Sequence, residues 1–380
     1  MKRSFAFACL SGLLALSVSA ARFIGFEADA FNRSCPADSP RNFVFSPASF
    51  ELDCVLVAES LPTIPKANVS EMMGVVIDFE STFRPMIDGL SERTNGFSFV
   101  AARGFCVPDM RTARIDHRLH LSRAYGAEVL RSTLPHGAER WFRATMEGDM
   151  ESFSLPVAAV GANAYSFYDL VSLRAAWRDP FPTENTRTLS FRGPGESNAV
   201  QVVCMSDVRI ADTWDTEKYT LLKLPLRGDA WFYALLPKEG RDLADARADV
   251  NSGKFAHLLN VTKSVTENGV AQGPCAIVLP RLDLLSRSDL TGLLQHFRIP
   301  LAGLTLLAGD GRADECVQHV RFRLAEHAWD EPPLVKKPAD SVVPITSDVR
   351  RLVFNRPFVF FIYHEKSESV LVAGQFTGQE

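Results

Sequence analysis

Short apolar runs recur along the chain with the character of β-strands. They are FSFVAARGFCV (97–107), VAAVGANAYSF (157–167), YTLLKLPL (219–226), AWFYALLP (230–237), CAIVLP (275–280), VRFRL (320–324), FVFFIYH (358–364) and VLVAGQF (370–376). Each is rich in β-branched and aromatic residues, and glycine or proline punctuates the chain between them, which is how strands are bounded. AWFYALLP and FVFFIYH cannot alternate apolar with polar, so both are predicted to be central strands covered on both faces. Helical spacing marks Phe50 to Ser60, which follows a Ser-Pro start suited to a first turn, and also Arg118 to Leu130 and Ser288 to His296. Helices dominate the first third and strands the last half. This order predicts an α+β fold with mainly antiparallel sheets rather than a doubly wound one. No repeat or linker divides the chain, so one domain over 22–380 is expected.

The first residues follow a different pattern. Lys2 and Arg3 precede an apolar run from Phe5 to Val18, and Val18-Ser19-Ala20 supplies small residues at a cleavage site. This predicts a secretory signal peptide over 1–21, too short for a good membrane span. The mature protein is therefore expected outside the cytoplasm: extracellular, or periplasmic if the source is a diderm bacterium. No later run is long and apolar enough to cross a bilayer, so no membrane association is expected once the signal is removed.

The chain of 380 residues is 46% hydrophobic and 23% charged, with a net charge of −4 and no long run of either sign. That balance argues against a nucleic-acid partner. Removal of the signal, with Cys9, leaves six of the seven cysteines: Cys35, Cys54, Cys106, Cys204, Cys275 and Cys316. Export would permit disulfides, while a core this large can equally hold free thiols. None is spaced as CxxC, which argues against zinc. Asn32, Asn68 and Asn260 begin glycosylation sequons.

Enzyme signatures are missing: GxSxG, GxxxxGK[ST], GxGxxG and HExxH do not occur. His117 and His120 stand three apart on a predicted helix with no third ligand nearby, so a solvated or capped pair is expected, not a metal site. Arg111, Arg114, Arg118 and Arg123 form a basic stripe beside them, read as a solvated face. Neither catalysis, metal nor cofactor is expected.

Several segments together resemble the serpin superfamily. FVFSPAS (43–49) resembles its helix-opening motif, VGANAYSF (160–167) its strand ending in Asn-Ala, and WRDPF (177–181) with Thr186 and Phe191 its Trp-x-x-Pro-Phe…Thr…Phe spacing. KLPLRGDAWFYALLP is similar to its hairpin, and FNRPFVFFI with VLVAGQF to its C-terminal strand pair. The resemblance implies three mainly antiparallel sheets, about eight or nine helices and an exposed reactive loop before the last strands. It implies a shutter-like polar cluster of Ser46, Ser49, Asn163 and His319 beneath the main sheet. It also implies Trp177 at the top of the sheet, with Arg281 pairing there with Glu326 or Glu331. About six extra residues and a missing glycine are expected between Phe167 and Trp177, near Asp169, as an insertion at the top of the sheet. The segment 59–70 is expected to replace a glycine-containing turn.

In inhibitory members the loop is protease bait whose first half, once cut, inserts as a new central strand and distorts the bound protease. The corresponding stretch here is EHAWDEPPLVKKPADSVVPIT (326–346), with four prolines. Counted from His319 the inserting hinge is His327 to Val335; counted back from Pro357 it is Asp330 to Pro338. Either way Pro332 and Pro333 fall where small uncharged residues are needed, joined by Trp329 in the first count and by Lys336 and Lys337 in the second. Proline donates no ladder hydrogen bond, and a buried unpaired lysine costs several kcal/mol. The expected function is thus that of a secreted, monomeric, non-inhibitory serpin-fold protein. It would act on an unidentified protein or small-ligand partner. The alternative is a protease inhibitor cut near Thr346-Ser347.

Overall fold

The computed structural model describes residues 26–35, 39–73, 84, 87–88, 96–131, 137–146, 164–194, 199–250, 271–307, 311–328 and 349–378. The expected signal peptide, the whole of 329–348, Asn163 and Asn260 lie outside them. Fourteen strands are described: β1 (Phe43–Phe45), β2 (Phe97–Val107), β3 (Ala127–Arg131), β4 (Ala164–Ala175), β5 (Arg187–Arg192), β6 (Ala199–Asp215), β7 (Tyr219–Pro225), β8 (Ala230–Pro237), β9 (Ala271–Pro280), β10 (Leu282–Asp289), β11 (Arg312–Leu324), β12 (Arg350–Val353), β13 (Phe358–His364) and β14 (Ser369–Phe376). Helices are α1 (26–34), α2 (Pro47–Glu59), α3 (Thr63–Met73), α4 (Ile115–Tyr125), α5 (Gly137–Thr145), α6 (Leu243–Arg247) and α7 (Leu290–His296).

The strands form a five-stranded sheet in the order β10-β11-β4-β2-β3 and a nine-stranded one that turns about β6. The last four residues of β6 pair with β7, the ten from Cys204 to Thr213 with β9, and its first six with β5. By pairing, the nine strands make two groups joined through β6, and with the five-stranded sheet the total is the expected three. Most pairs are antiparallel; β4–β11, β2–β3 and β9–β12 are parallel.

The core lies between the sheets. Phe322 of β11 stacks on Phe360 of β13 at 5.4 Å, and Phe360 stacks on Phe232 of β8. The central strands FVFFIYH and AWFYALLP are buried along nearly their whole length, as their unbroken apolar character requires. Helix α2 is buried at every position from Pro47 to Ala58 because it runs inside this core. The opposite face of the five-stranded sheet is covered by α5, whose Phe142 joins Ala102, Tyr168, Leu170 and Val317.

Three sequence expectations are revised. The stretch 118–130 is not one helix: α4 ends at Tyr125, Gly126 takes a left-handed φ of 65°, and 127–131 continue as a strand. Glycine is the residue that makes that reversal without strain. The stretch between Phe167 and Trp177 holds no inserted loop: β4 runs unbroken to Ala175, paired on both sides. The segment 59–70 contributes to a helix, α3, rather than a turn.

Candidate functional site

Across the middle of the five-stranded sheet, one row of polar residues points inward: Arg103 of β2 opposite Asp169 of β4, and Asp169 opposite Gln318 of β11. The N-terminal end of α2 meets this row. Ser46 caps the helix, accepting a hydrogen bond from the Ser49 N–H. Gln318 grips the cap from both sides, accepting from the Ser46 N–H at 2.9 Å and donating to the Ser46 carbonyl at 3.0 Å. Its amide also donates to Asp169 Oδ2 at 2.9 Å. Ser46 Oγ donates to the Leu371 carbonyl of β14. Arg103 donates to Ser49 and to Asp53 Oδ1, and lies 3.5 Å from Asp169.

This cluster sits beneath the seam between β4 and β11, the parallel pair at the centre of the sheet. The seam is closed from Arg312↔Ala164 to Leu324↔Ala175, with one irregularity between Ala313 and Glu315. The Gln318–Asp169 hydrogen bond crosses it. A strand entering between β4 and β11 would have to break that bond and the backbone ladder together.

Ser46 and Ser49 thus meet at the N-terminal end of α2, where Gln318 and Arg103 hydrogen-bond them. His319 does not join them. Side chains alternate along a strand, so His319 points to the other face, opposite Arg287 of β10 and beside Leu170. There burial, with the Arg287 charge, pushes its pKa down to about 4. Gln318 occupies the inward position, and Asp169 and Arg103 complete the cluster. The signal for this was present: Val320, Phe322 and Leu324 are the buried alternate residues of β11, and that parity carries back to Gln318. In FSFVAARGFCV the same parity carries from Phe97 and Phe99 to Arg103.

Just beyond the end of β11 the chain is anchored at Glu326. Glu326 is almost fully buried and accepts from Arg281 Nε at 2.7 and 2.8 Å and from Thr186 Oγ1. Its carbonyl accepts from the Phe181 N–H. Burial alone would raise its pKa, but the Thr186 and Arg281 hydrogen bonds outweigh burial and hold the carboxyl below its usual range. Trp177 lies nearby, fully buried, edge-on to Phe181 at 5.2 Å and to Phe232 at 5.3 Å. Arg281 therefore pairs with Glu326, one of the two expected partners; Glu331, Trp329, Pro332, Pro333, Thr346 and Ser347 lie outside the described residues. Arg350 and Arg351 belong to β12 and pair with Cys275 and Ala276 of β9.

The remaining candidates resolve into scaffold. His117 is buried, not solvated: it hydrogen-bonds Ser60 at 2.9 Å, and burial followed by the charge of His120 pushes its pKa down to about 4. His120 faces Glu59 instead. Arg111 and Arg114 are paired with Asp109 and Asp116, which partly neutralises the basic stripe. The side-chain amide of Asn32 is engaged by the Val250 carbonyl and by Arg247. The six cysteines among the described residues are all buried, and Cys54, Cys106, Cys204, Cys275 and Cys316 are free thiols. A cavity of about 530 Å³ opens beside β6, where Lys223 Nζ lies 4.0 Å over the Trp231 ring, with Arg178, Asp212 and Gln272 around them.

Fold and cluster define a protein with a central five-stranded sheet closed through a parallel β4–β11 pair over a buried polar cluster, and a chain anchored at Glu326 where β11 ends. The profile of the family described as "Serpin (serine protease inhibitor)" matches residues 24–378, and the chain belongs to that family. It is 24% identical over 215 residues to ovalbumin-related protein X of Gallus gallus, covering 54% of this chain and 89% of that one. To serpin B6 of Macaca fascicularis it is 23% identical over 245 residues, covering 62% and 63%. Among solved structures, uncleaved ovalbumin superposes with a TM-score of 0.80 at 16% identity, over 94% of this chain and 99% of that one. Thyroxine-binding globulin complexed with thyroxine superposes at 0.77 and 16% identity, over 96% and 100%. The α+β serpin-like architecture is therefore established. No helix among the described residues is long and apolar enough to cross a membrane.

Proposed function

We propose that this is an exported serpin-fold protein, monomeric and non-catalytic, that acts by binding and not by trapping proteases. The observation that carries the reading is the composition that follows Glu326. With Glu326 anchored to Arg281, any inserting strand begins at about His327. The seam it would enter is twelve residues long on β4. A strand of that length from His327 takes in Trp329, Asp330, Glu331, Pro332, Pro333, Lys336, Lys337 and Pro338. Two adjacent prolines remove ladder donors in mid-sheet. Lysines on the inner face would meet a closed core without partners. Asp330 and Glu331 bring the same cost in the other sign. Incubation with a panel of serine and cysteine proteases tests the reading. It predicts cleavage within 329–348 and no complex that survives SDS. A stable covalent complex refutes it and assigns the protein to inhibition, with cleavage at Thr346-Ser347 the first site to map.

The cavity beside β6 favours small ligands as one class of partner. Its buried Lys223 and the Trp231 ring suit a compact aromatic anion, through charge and ring stacking. That a structural neighbour was solved with thyroxine supports a carrier role for this fold. Titration of tryptophan fluorescence with aromatic carboxylates, thyroxine included, tests it against Trp231→Phe; no ligand-dependent change attributable to Trp231 removes the carrier reading and leaves a protein partner.

A further inference from the structure

Helix α2 is buried throughout, yet it carries two acids, Glu51 and Asp53. Each faces a second buried acid on another element. Asp53 lies against Asp169 of β4, within hydrogen-bonding range. Glu51 is near enough to Glu27 of α1 that its charge acts on Glu27. All four are at most 2% exposed.

The charges around Asp53 do not balance if every acid is ionised. The facing groups are Arg103 from β2, Asp169 from β4, the neutral Gln318 and Cys316 from β11, and Ser49 and Cys54 from α2 itself. One cation serves two carboxyls. Arg103 occupies Asp53 Oδ1, and Gln318 occupies Asp169 Oδ2. Asp53 Oδ2 and Asp169 Oδ1 accept no hydrogen bond from the described residues, Arg103 Nε standing off at 3.5 Å from Asp169 Oδ1. A proton between them satisfies both and leaves one negative charge to balance Arg103.

Around Glu27 the facing groups are Glu51 from α2, Tyr363 from β13 and the Val370 N–H of β14, and Cys54 of α2 faces Glu51; Asp29 pairs with Arg33 along α1 and with His296 of α7. Both Glu27 oxygens accept from Val370 N–H, at 3.1 and 3.2 Å. Glu51 Oε1 has no partner among the described residues. Two interacting carboxylates, both desolvated and with no counter-ion among the described residues, disfavour each other's ionisation.

We propose that each of these two carboxyl pairs holds one proton at neutral pH, so that sealing the β4–β11 seam and docking α1 on α2 are both coupled to proton uptake. Burial is the main cause, with Asp169 adding to Asp53 and Glu51 adding to Glu27; it raises both acids well above the usual range and moves Glu51 up to about 8. An acid raised in the fold contributes most below its unfolded pKa, near 4.5, and that contribution is lost as pH rises toward the folded value. His117 and His319 act in the opposite sense, but only below about pH 6.5, where the unfolded chain protonates them. The slope just above neutrality therefore reports mainly the carboxyl pairs. Raising pH further places an uncompensated charge under the seam.

The test is denaturant unfolding between about pH 7.0 and 7.6 for the full protein, Asp53→Asn, Glu51→Gln and the double variant. Each amide can donate to the same neighbour as the proton it replaces. In the parent the unfolding constant should climb with pH about tenfold per unit more steeply than in either single variant, and about a hundredfold more steeply than in the double. Equal slopes overturn the proposal. Infrared spectra of the native proteins at pH 7 give a second measurement. The parent should show the carbonyl band of un-ionised carboxyl groups, weakened in each variant. A parent spectrum without that band overturns the proposal whether or not the variants fold.

Discussion

Gln318 and His319 are neighbours in sequence and lie on opposite faces of one strand, and their substitutions should separate accordingly. Removing the Gln318 amide strands the Ser46 backbone groups and Asp169 beneath the seam. Gln318→Ala should therefore lower stability by roughly 1–3 kcal/mol, the usual cost of unpaired buried partners. His319→Ala, half-buried on the other face, should cost less. Urea midpoints at pH 7 compare the two directly; equal losses would place His319 in the same network. Glu326 offers a second measurement with its own pH sign. Because its carboxyl is held below the usual range, its pair with Arg281 contributes above about pH 4.5 and is lost as pH falls below that. Arg281→Ala should lower stability at pH 7 by about 1 kcal/mol, since the arginine is half-exposed and solvent screens the pair. The gap from the parent should narrow toward pH 3; a gap independent of pH would show that the pair contributes nothing.

The strands were read well where apolar runs are long, and their edges show what decided the rest. Runs 97–107, 230–237 and 358–364 coincide with β2, β8 and β13. β6 carries no such run, although it is the longest described strand at 17 residues. Its sequence AVQVVCMSDVRIADTWD keeps one side toward solvent over much of its length, so it lacks an apolar run. β10 alternates buried Leu282 and Leu284 with Asp283 and was hidden by the same polarity. β14 depends on a glycine for packing: a Cβ at Gly374 would lie 2.7 Å from the Phe43 carbonyl and would strike the Phe360 ring. Gly374→Ala should destabilise by roughly 1–3 kcal/mol through overpacking, measured by thermal melting; an unchanged melt would mean that β1 and β13 can separate freely there. The loop itself is tested by cleavage between Trp329 and Ser347, mapped by mass spectrometry. If its prolines and charges block insertion, cut and uncut protein should melt at nearly the same temperature. A rise of tens of degrees would show that a sixth strand enters between β4 and β11.

At the scale of the whole chain, two sets of buried groups pull stability in opposite directions with pH. Neutral His117 and His319 disfavour acid, because the unfolded chain takes up protons below about 6.5 that these rings refuse until about 4. The carboxyls of Glu27, Glu51 and Asp53 disfavour alkali. The two sets offset each other between about pH 4.5 and 6.5, and above that only the carboxyls act, so the expected profile is a broad plateau that falls on its alkaline side, checked by melts from pH 4 to 9. His117→Asn should raise relative stability on the acid limb and leave the alkaline limb unchanged; a shift of both limbs would show that His117 acts through packing alone.

By itself the sequence determined the class of the fold, because runs such as FVFFIYH have no stable place except a covered strand, and the ordered motifs around Ser46, Trp177 and Asn355 marked the family. It also determined the character of the stretch after Glu326, since proline and lysine carry their constraints wherever they sit. Which polar residues meet beneath the sheet was decided only by the tertiary structure. A strand register differing by one residue exchanges Gln318 for His319. The meeting of Arg103, Asp169 and Gln318 with Asp53 joins four segments far apart in the chain, and no local pattern specifies which buried acid will have to share its proton with another.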